Sequence, residues 1–263
     1  MVVERVDLTD APALARIFSE HVFDGVVHLA AQAGVRHSLE FPEEYQRNNI
    51  DGTFVLLEAM RAAGVKRLVF ASTSSVYGDD TPVPFVETVA ADRPVSLYAA
   101  SKRAGELLAY TYHIAYGFEV VCLRFFTVYG PWGRPDMAIY TFTSRIMAGE
   151  SVTLFNFGDM RRDFTYVDDI VSGVVAALHI PAGYAVYNLG RGEAVSLHDF
   201  VTAIEDATGK VASIELAPIP LGDVTQTYAD ITAARRDLGY EPQTSVADGV
   251  AQYVAWYREY YGG

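Results

Sequence analysis

The chain has 263 residues, 51% hydrophobic and 20% charged, with one cysteine and a formal net charge of −13. Such a balance describes a globular chain with one large core or two lobes, and its acidity argues against a nucleic-acid partner, because phosphate binding needs a basic face. A lone cysteine, Cys122 in an apolar run, rules out an internal disulfide and a multi-cysteine metal site; with no signal peptide and no membrane-length apolar run, a soluble cytoplasmic protein without metal is expected.

Residues 2–8 read as a short strand. Thr9 and Asp10 then cap a helix to about His21, with Pro12 in its first turn. Residues 25–31 form a buried strand that runs out into small residues, where backbone can approach a ligand closely. Pro42 opens a second helix that reaches about Ala63 and stops at Gly64. Residues 67–72 are the next strand. Ser96 and Gly117 bound a helix over 97–116, and a strand over 119–126 follows. This alternation predicts a doubly wound parallel sheet, an α/β fold whose ligands sit at the carboxyl ends of strands. Ala30-Ala31, Thr73-Ser74-Ser75 and Phe126-Thr127 all fall at such ends and should line one crevice.

From Thr127 the pattern changes. A Gly- and Pro-rich loop over 129–136 precedes a helix over 137–148, a short strand over 152–155 and a charged turn over 159–163. Asp168 starts another helix, and residues 185–189 look like a last sheet strand. Helices near 197–208, 230–237 and 246–260 complete the chain. Residues 1–126 with 163–192 are expected to form the sheet domain. Residues 127–162 with 193–263 are expected to form a smaller α/β lobe closing over the crevice.

Tyr98 and Lys102 are four apart and share one face of the 97–116 helix. An ammonium beside a phenol favours the phenolate. A free tyrosine has a pKa of about 10, so a base useful near neutrality needs a drop of roughly 2–3 units. Such a pair also arises by chance on many helices; the Ser/Thr cluster at 72–75 strengthens the catalytic reading.

Several runs carry a resemblance. They are His28-Leu29-Ala30-Ala31-Gln32-Ala33-Gly34-Val35-Arg36, Ala71-Ser72-Thr73-Ser74-Ser75-Val76-Tyr77-Gly78 and Ser96-Leu97-Tyr98-Ala99-Ala100-Ser101-Lys102. The long run Leu123-Arg124-Phe125-Phe126-Thr127-Val128-Tyr129-Gly130-Pro131-Trp132-Gly133-Arg134-Pro135-Asp136-Met137-Ala138 is the most specific. Arg162-Asp163-Phe164-Thr165-Tyr166-Val167-Asp168-Asp169 and Gly222-Asp223-Val224 complete the set. In these runs the sequence resembles the extended short-chain dehydrogenase/reductase superfamily of sugar-nucleotide enzymes, and within it the UDP-glucuronate 4-epimerase branch.

The resemblance implies a Rossmann-like dinucleotide-binding domain, a substrate lobe and NAD as cofactor. It puts the catalytic triad on Thr73, Tyr98 and Lys102. NAD contacts then fall on Asp7, Leu8, Leu29, Ala30, Ala31, Asn48, Ser72, Tyr98 and Lys102. On the residues alone, Asp7 reads equally as a turn residue and Asn48 as an ordinary polar helix residue. Contacts to a UDP-sugar fall on Ser74, Ser75, Thr127, Arg134, Arg162 and Asp223. The plain alternatives are a loop salt bridge for Arg134, a salt bridge to Asp163 for Arg162 and a surface turn for Asp223.

The implied activity is 4-epimerisation of UDP-glucuronate through a 4-keto intermediate. Related dehydratases place Asp-Glu after the catalytic Thr and related decarboxylases a Glu; Ser74 and Ser75 stand there instead. The family's opening strand, Gly-x-x-Gly-x-x-Gly turn and helix are not in this sequence. Alternatives are therefore a catalytically impaired fragment, a non-catalytic sugar-nucleotide binding module, or a related UDP-sugar epimerase or decarboxylase. A homodimer through the helix of Tyr98 and the preceding one is also implied.

Overall fold

Caps written into the sequence set many of the helix limits in the computed structural model, which describes residues 1–180, 183–220 and 224–262. In chain order the elements are α1 (Ala11–Glu20), β1 (Val26–His28), α2 (Val35–Glu40), α3 (Pro42–Tyr45), a π-helical turn (Gln46–Asp51) and α4 (Gly52–Ala63). Next come β2 (Arg67–Thr73), a 3-10 turn (Ser74–Tyr77), α5 (Leu97–Tyr116), β3 (Glu119–Phe125), β4 (Thr127–Tyr129), α6 (Ala138–Ala148) and β5 (Ser151–Leu154). Then follow β6 (Arg161–Arg162), β7 (Phe164–Tyr166), α7 (Val167–His179), β8 (Tyr184–Leu189), β9 (Val195–Ser196) and α8 (Leu197–Thr208). The chain closes with β10 (Ser213–Leu216), β11 (Gln226–Thr227), α9 (Thr232–Leu238) and α10 (Val246–Tyr261).

Two compact units result. The first comprises Met1–Thr81, Glu87–Arg124 and Val174–Tyr187. Its sheet runs in the order β1-β2-β3-β8, with β1 parallel to β2. Long apolar runs in β2 and β3 are buried, as helices on a parallel sheet require. Leu14 of α1, Leu56, Leu57 and Met60 of α4 and Tyr112 of α5 pack on Phe70 and Val120 to make its core. Ser96 Oγ accepts from the Ala99 amide at 3.1 Å, and Gly117 takes the left-handed conformation at φ 66°, so α5 has the limits its caps predict. Gly105 lets α5 lie directly on β2: a Cβ there would stand 2.3 Å from Phe70 Cζ.

The second unit comprises Pro82–Val86, Phe125–Gly173 and Asn188–Gly263, described to residue 262. Its core centres on Phe164 and Phe200, stacked with centroids 3.8 Å apart, with Tyr129, Ile146, Leu154, Val250 and Tyr253 around them. Small sheets pair β5 with β10, β4 with β7, and β6 with β9 and β11.

Residues 2–8 are a correction: they form no strand. Residues 1–5 are exposed, and a strand needs a hydrogen-bonded neighbour. The helix expected from Pro42 to Ala63 is also corrected. It is interrupted by the π turn, which inserts an extra residue into the helical repeat. The pairs and triplets of β4, β6, β7, β9 and β11 are too short for alternation to reveal. Among the described residues no helix is long and apolar enough to cross a membrane.

Candidate active site

Tyr98 sits in the first turn of α5 and is half-buried, its ring 6.2 Å edge-on from that of Tyr45. The Tyr45 hydroxyl in turn donates to the Gly34 carbonyl at 2.9 Å, which fixes this wall. One turn along α5, Lys102 is buried and its Nζ donates to the Ala71 carbonyl at 2.8 Å. Burial pushes the Lys102 ammonium down to about 8. Ala71 lies two residues before Thr73, so Lys102 is anchored to the strand end that carries the hydroxyl cluster. Thr73 Oγ1 accepts from the Ser75 amide at 3.2 Å and donates to Ser75 Oγ at 3.3 Å, capping the 3-10 turn. Ser74 and Ser75 are half-buried on that turn.

Behind Lys102, His28 is buried and its Nε2 is 2.9 Å from Thr53 Oγ1. Burial, and secondarily the Lys102 charge, push its pKa down to about 3, so the imidazole is neutral. At the end of β1, Leu29, Ala30 and Ala31 are exposed. Asp7 is exposed; its carboxylate accepts from the Thr9 amide at 2.9 Å and hydroxyl at 2.8 Å, and pairs with Arg47 at 2.5 Å. Those bonds hold the Asp7 carboxyl below its usual range. Leu8 packs on Gly52 at the start of α4. Asn48 is half-buried in the π turn. Ser72 is buried, and its hydroxyl donates at 2.6 Å to Glu106 in the interior.

In the second unit, Thr127 begins β4 and is half-buried. Arg134 is exposed and grips Asp136 through two 2.9 Å bonds, a bidentate fork. Arg162 donates to the carbonyls of Val224 at 2.6 Å and Thr225 at 3.2 Å. Its neighbour Asp163 is fully buried and accepts from the amides of Arg191, Gly192 and Ala229 and from the Thr165 hydroxyl. Asp223 lies outside the described residues. Among the described residues no group of three or more His, Cys, Asp or Glu could hold a metal ion.

Two residues escaped the sequence reading. Asn49, next to Asn48, is buried; it accepts from the Gln32 amide at 2.7 Å, donates to the Gln32 carbonyl at 3.0 Å, and donates to Ser101 Oγ at 2.8 Å. It thus ties the loop after β1 to α5 between Tyr98 and Lys102. Glu106 is fully buried, one turn beyond Lys102. A Tyr-x-x-x-Lys-x-x-x-Glu spacing was the available signal, because residues four apart share a helix face.

Residues 2–190 match the NAD dependent epimerase/dehydratase family. The chain is 42% identical to protein CapI of Staphylococcus aureus, over 98% of this chain and 82% of that protein. It is 45% identical to the UDP-glucuronate 4-epimerase of Thermodesulfobacterium geofontis, over 97% of this chain and 79% of that one. The solved structure of UDP-glucuronic acid 4-epimerase from Bacillus cereus, in complex with UDP-glucuronic acid and NAD, superposes with a TM-score of 0.91. It is 35% identical, over 98% of this chain and 81% of that chain. The family match over most of the chain, and likeness to relatives over 79–82% of their length, agree with the Rossmann-like α/β sheet and the Tyr98–Lys102 helix: the chain belongs to the NAD-dependent epimerase/dehydratase family.

Proposed function

We propose that the chain interconverts UDP-glucuronate and UDP-galacturonate by NAD-dependent 4-epimerisation through a 4-keto intermediate. The observation that carries this reading is Lys102, one turn beyond Tyr98, with its Nζ bonded at 2.8 Å to the strand end that leads into Thr73.

The first unit fits a nicotinamide nucleotide. Leu29, Ala30 and Ala31 leave the exposed end of β1 with two methyl-sized side chains, so backbone is open to close approach. These residues, with Asp7, Leu8, Asn48, Tyr98, Lys102 and the backbone of Ser72, would hold the cofactor. When bound, NAD supplies the hydride acceptor and donor that a redox-neutral epimerisation needs.

Tyr98 acts as the general base that takes the proton of the sugar 4-hydroxyl and later returns it. Lys102, still largely protonated near pH 7, stabilises the phenolate electrostatically. Thr73 hydrogen-bonds the same sugar oxygen. Ser74 and Ser75 offer hydroxyls and no carboxylate, so nothing at those positions supports elimination across C5 and C6. In the second unit, Thr127 and Arg134 hold the sugar carboxylate, Arg162 the pyrophosphate and Asp223 the uridine ribose. Holding the carboxylate matters because a 4-keto hexuronate is a β-keto acid and loses carbon dioxide readily.

A homodimer through α4 and α5 belongs to the same reading. Phe54, Leu107, Tyr110 and Ile114 leave large apolar side chains exposed on those helices.

Incubating the chain with UDP-glucuronate and NAD, then separating the products, tests the proposal. It predicts UDP-galacturonate from the wild-type chain and none from Tyr98→Phe at an unchanged melting temperature. A UDP-pentose as the main product, or equal conversion by Tyr98→Phe, would overturn it.

A further inference from the structure

Glu106 is a fully buried carboxylate with four hydrogen bonds. Its Oε1 accepts from Ser72 Oγ at 2.6 Å and Arg124 Nε at 2.9 Å; its Oε2 accepts from Arg124 Nη2 at 2.9 Å and Arg103 Nη1 at 2.7 Å. Three elements meet here: α5 supplies Glu106 and Arg103, β2 supplies Ser72, and β3 supplies Arg124. The Arg124 guanidinium also lies over the Tyr77 ring, 4.7 Å from its centroid. Ser72 immediately precedes Thr73, and Tyr77 closes the 3-10 turn that Thr73 caps. The network therefore grips the chain on both sides of Thr73.

An ion pair this deep is a poor way to gain stability. Well-packed apolar residues of similar volume do as well or better, because taking both charges out of water offsets most of their attraction. What a bidentate pair does supply is geometry: two parallel bonds fix both orientation and distance. The geometry found here fixes β2 against the helix that carries Tyr98 and Lys102.

We propose that Glu106, acting through Ser72 and Arg124, is a positioning residue that sets the Thr73 hydroxyl relative to Tyr98. It touches neither substrate nor cofactor. This deepens the epimerase reading, on which its kinetic part rests.

Ser72→Ala removes one hydroxyl from the network and leaves the Glu106–Arg124 pair in place, so the variant folds. In the chain labelled with methyl-13C threonine, the Thr73 methyl resonance is assigned by its loss in Thr73→Val. The proposal expects Ser72→Ala to shift or broaden the Thr73 signal while the signal of Thr208, in the core of the second unit, stays put. In turnover, Ser72→Ala should lower kcat about tenfold with KM changed less than about twofold, and the double variant Ser72→Ala/Thr73→Val should be no slower than Thr73→Val alone. An unmoved Thr73 signal overturns the proposal whether or not the chain turns over UDP-glucuronate. With a moved signal, multiplicative losses in the double variant also overturn it, since Ser72 would then act elsewhere than through Thr73. A wild-type chain that fails to convert UDP-glucuronate counts against the epimerase reading, and the Thr73 signal alone then decides the positioning role.

Discussion

A planar fork is the best grip a protein has on a carboxylate, and Arg134 already holds one, the side chain of Asp136, through two bonds of 2.9 Å. In the proposed reaction Arg134 would exchange Asp136 for the carboxylate of the 4-keto sugar, keeping its C–C bond out of line with the π system of the ketone. Histidine cannot reproduce a bidentate grip. Arg134→His is expected to release a decarboxylated UDP-pentose alongside a diminished yield of 4-epimer, read by mass spectrometry of the products; a clean 4-epimer at the wild-type rate would remove Arg134 from that role. Arg162 is tied differently. Its guanidinium donates to the backbone of residues 224 and 225, so it also fixes the strand pairing of β6 and β11.

At the scale of elements, α5 carries most of the proposed chemistry, and its seat on β2 depends on Gly105. A methyl group there meets the Phe70 ring at 2.3 Å, and Phe70 is itself buried in the core. Gly105→Ala should lower stability by about 1–3 kcal/mol through overpacking, despite alanine's better helix propensity, as a chemical-denaturation midpoint would show. A stabilised variant would mean that α5 stands further from the sheet. The limits of α5 were legible in the sequence because Ser96 and Gly117 act locally, through one side-chain bond and one left-handed residue. Tyr98 and Lys102 were legible for the same reason, since a spacing of four fixes a shared face. Other features depend on partners distant in sequence. Residues 2–8 have strand-like composition, yet strand formation rests on a neighbour, which no local pattern encodes. Asn48 and Asn49 could not be told apart, because the π turn rotates the helix faces by one residue and brings Asn49 inward. Ser72 looked available to a cofactor; its hydroxyl faces Glu106, 34 residues on, a pairing that only the tertiary fold creates.

For the molecule as a whole, pH couples to stability through the first unit's interior. His28 is buried neutral, its pKa held near 3 against 6.5 for a free imidazole. The unfolded chain therefore binds a proton at His28 below about pH 6.5 that the folded chain refuses until about pH 3, so stability is lost as pH falls through that window. Between pH 7.5 and 5 this contributes a loss of about 2 kcal/mol. His28→Gln retains a polar partner for Thr53 and lacks the titration, so denaturation at both pH values should show a loss smaller by that amount; equal losses would contradict the assignment. The proposed reaction turns on one point: the hydrogen on C4 would leave as hydride and return to the opposite face. Running the reaction in D2O with UDP-glucuronate and NAD tests this most directly, by NMR of the product's C4 position. The account predicts UDP-galacturonate that keeps protium at C4, whereas deuterium at C4, or no 4-epimer at all, would contradict it.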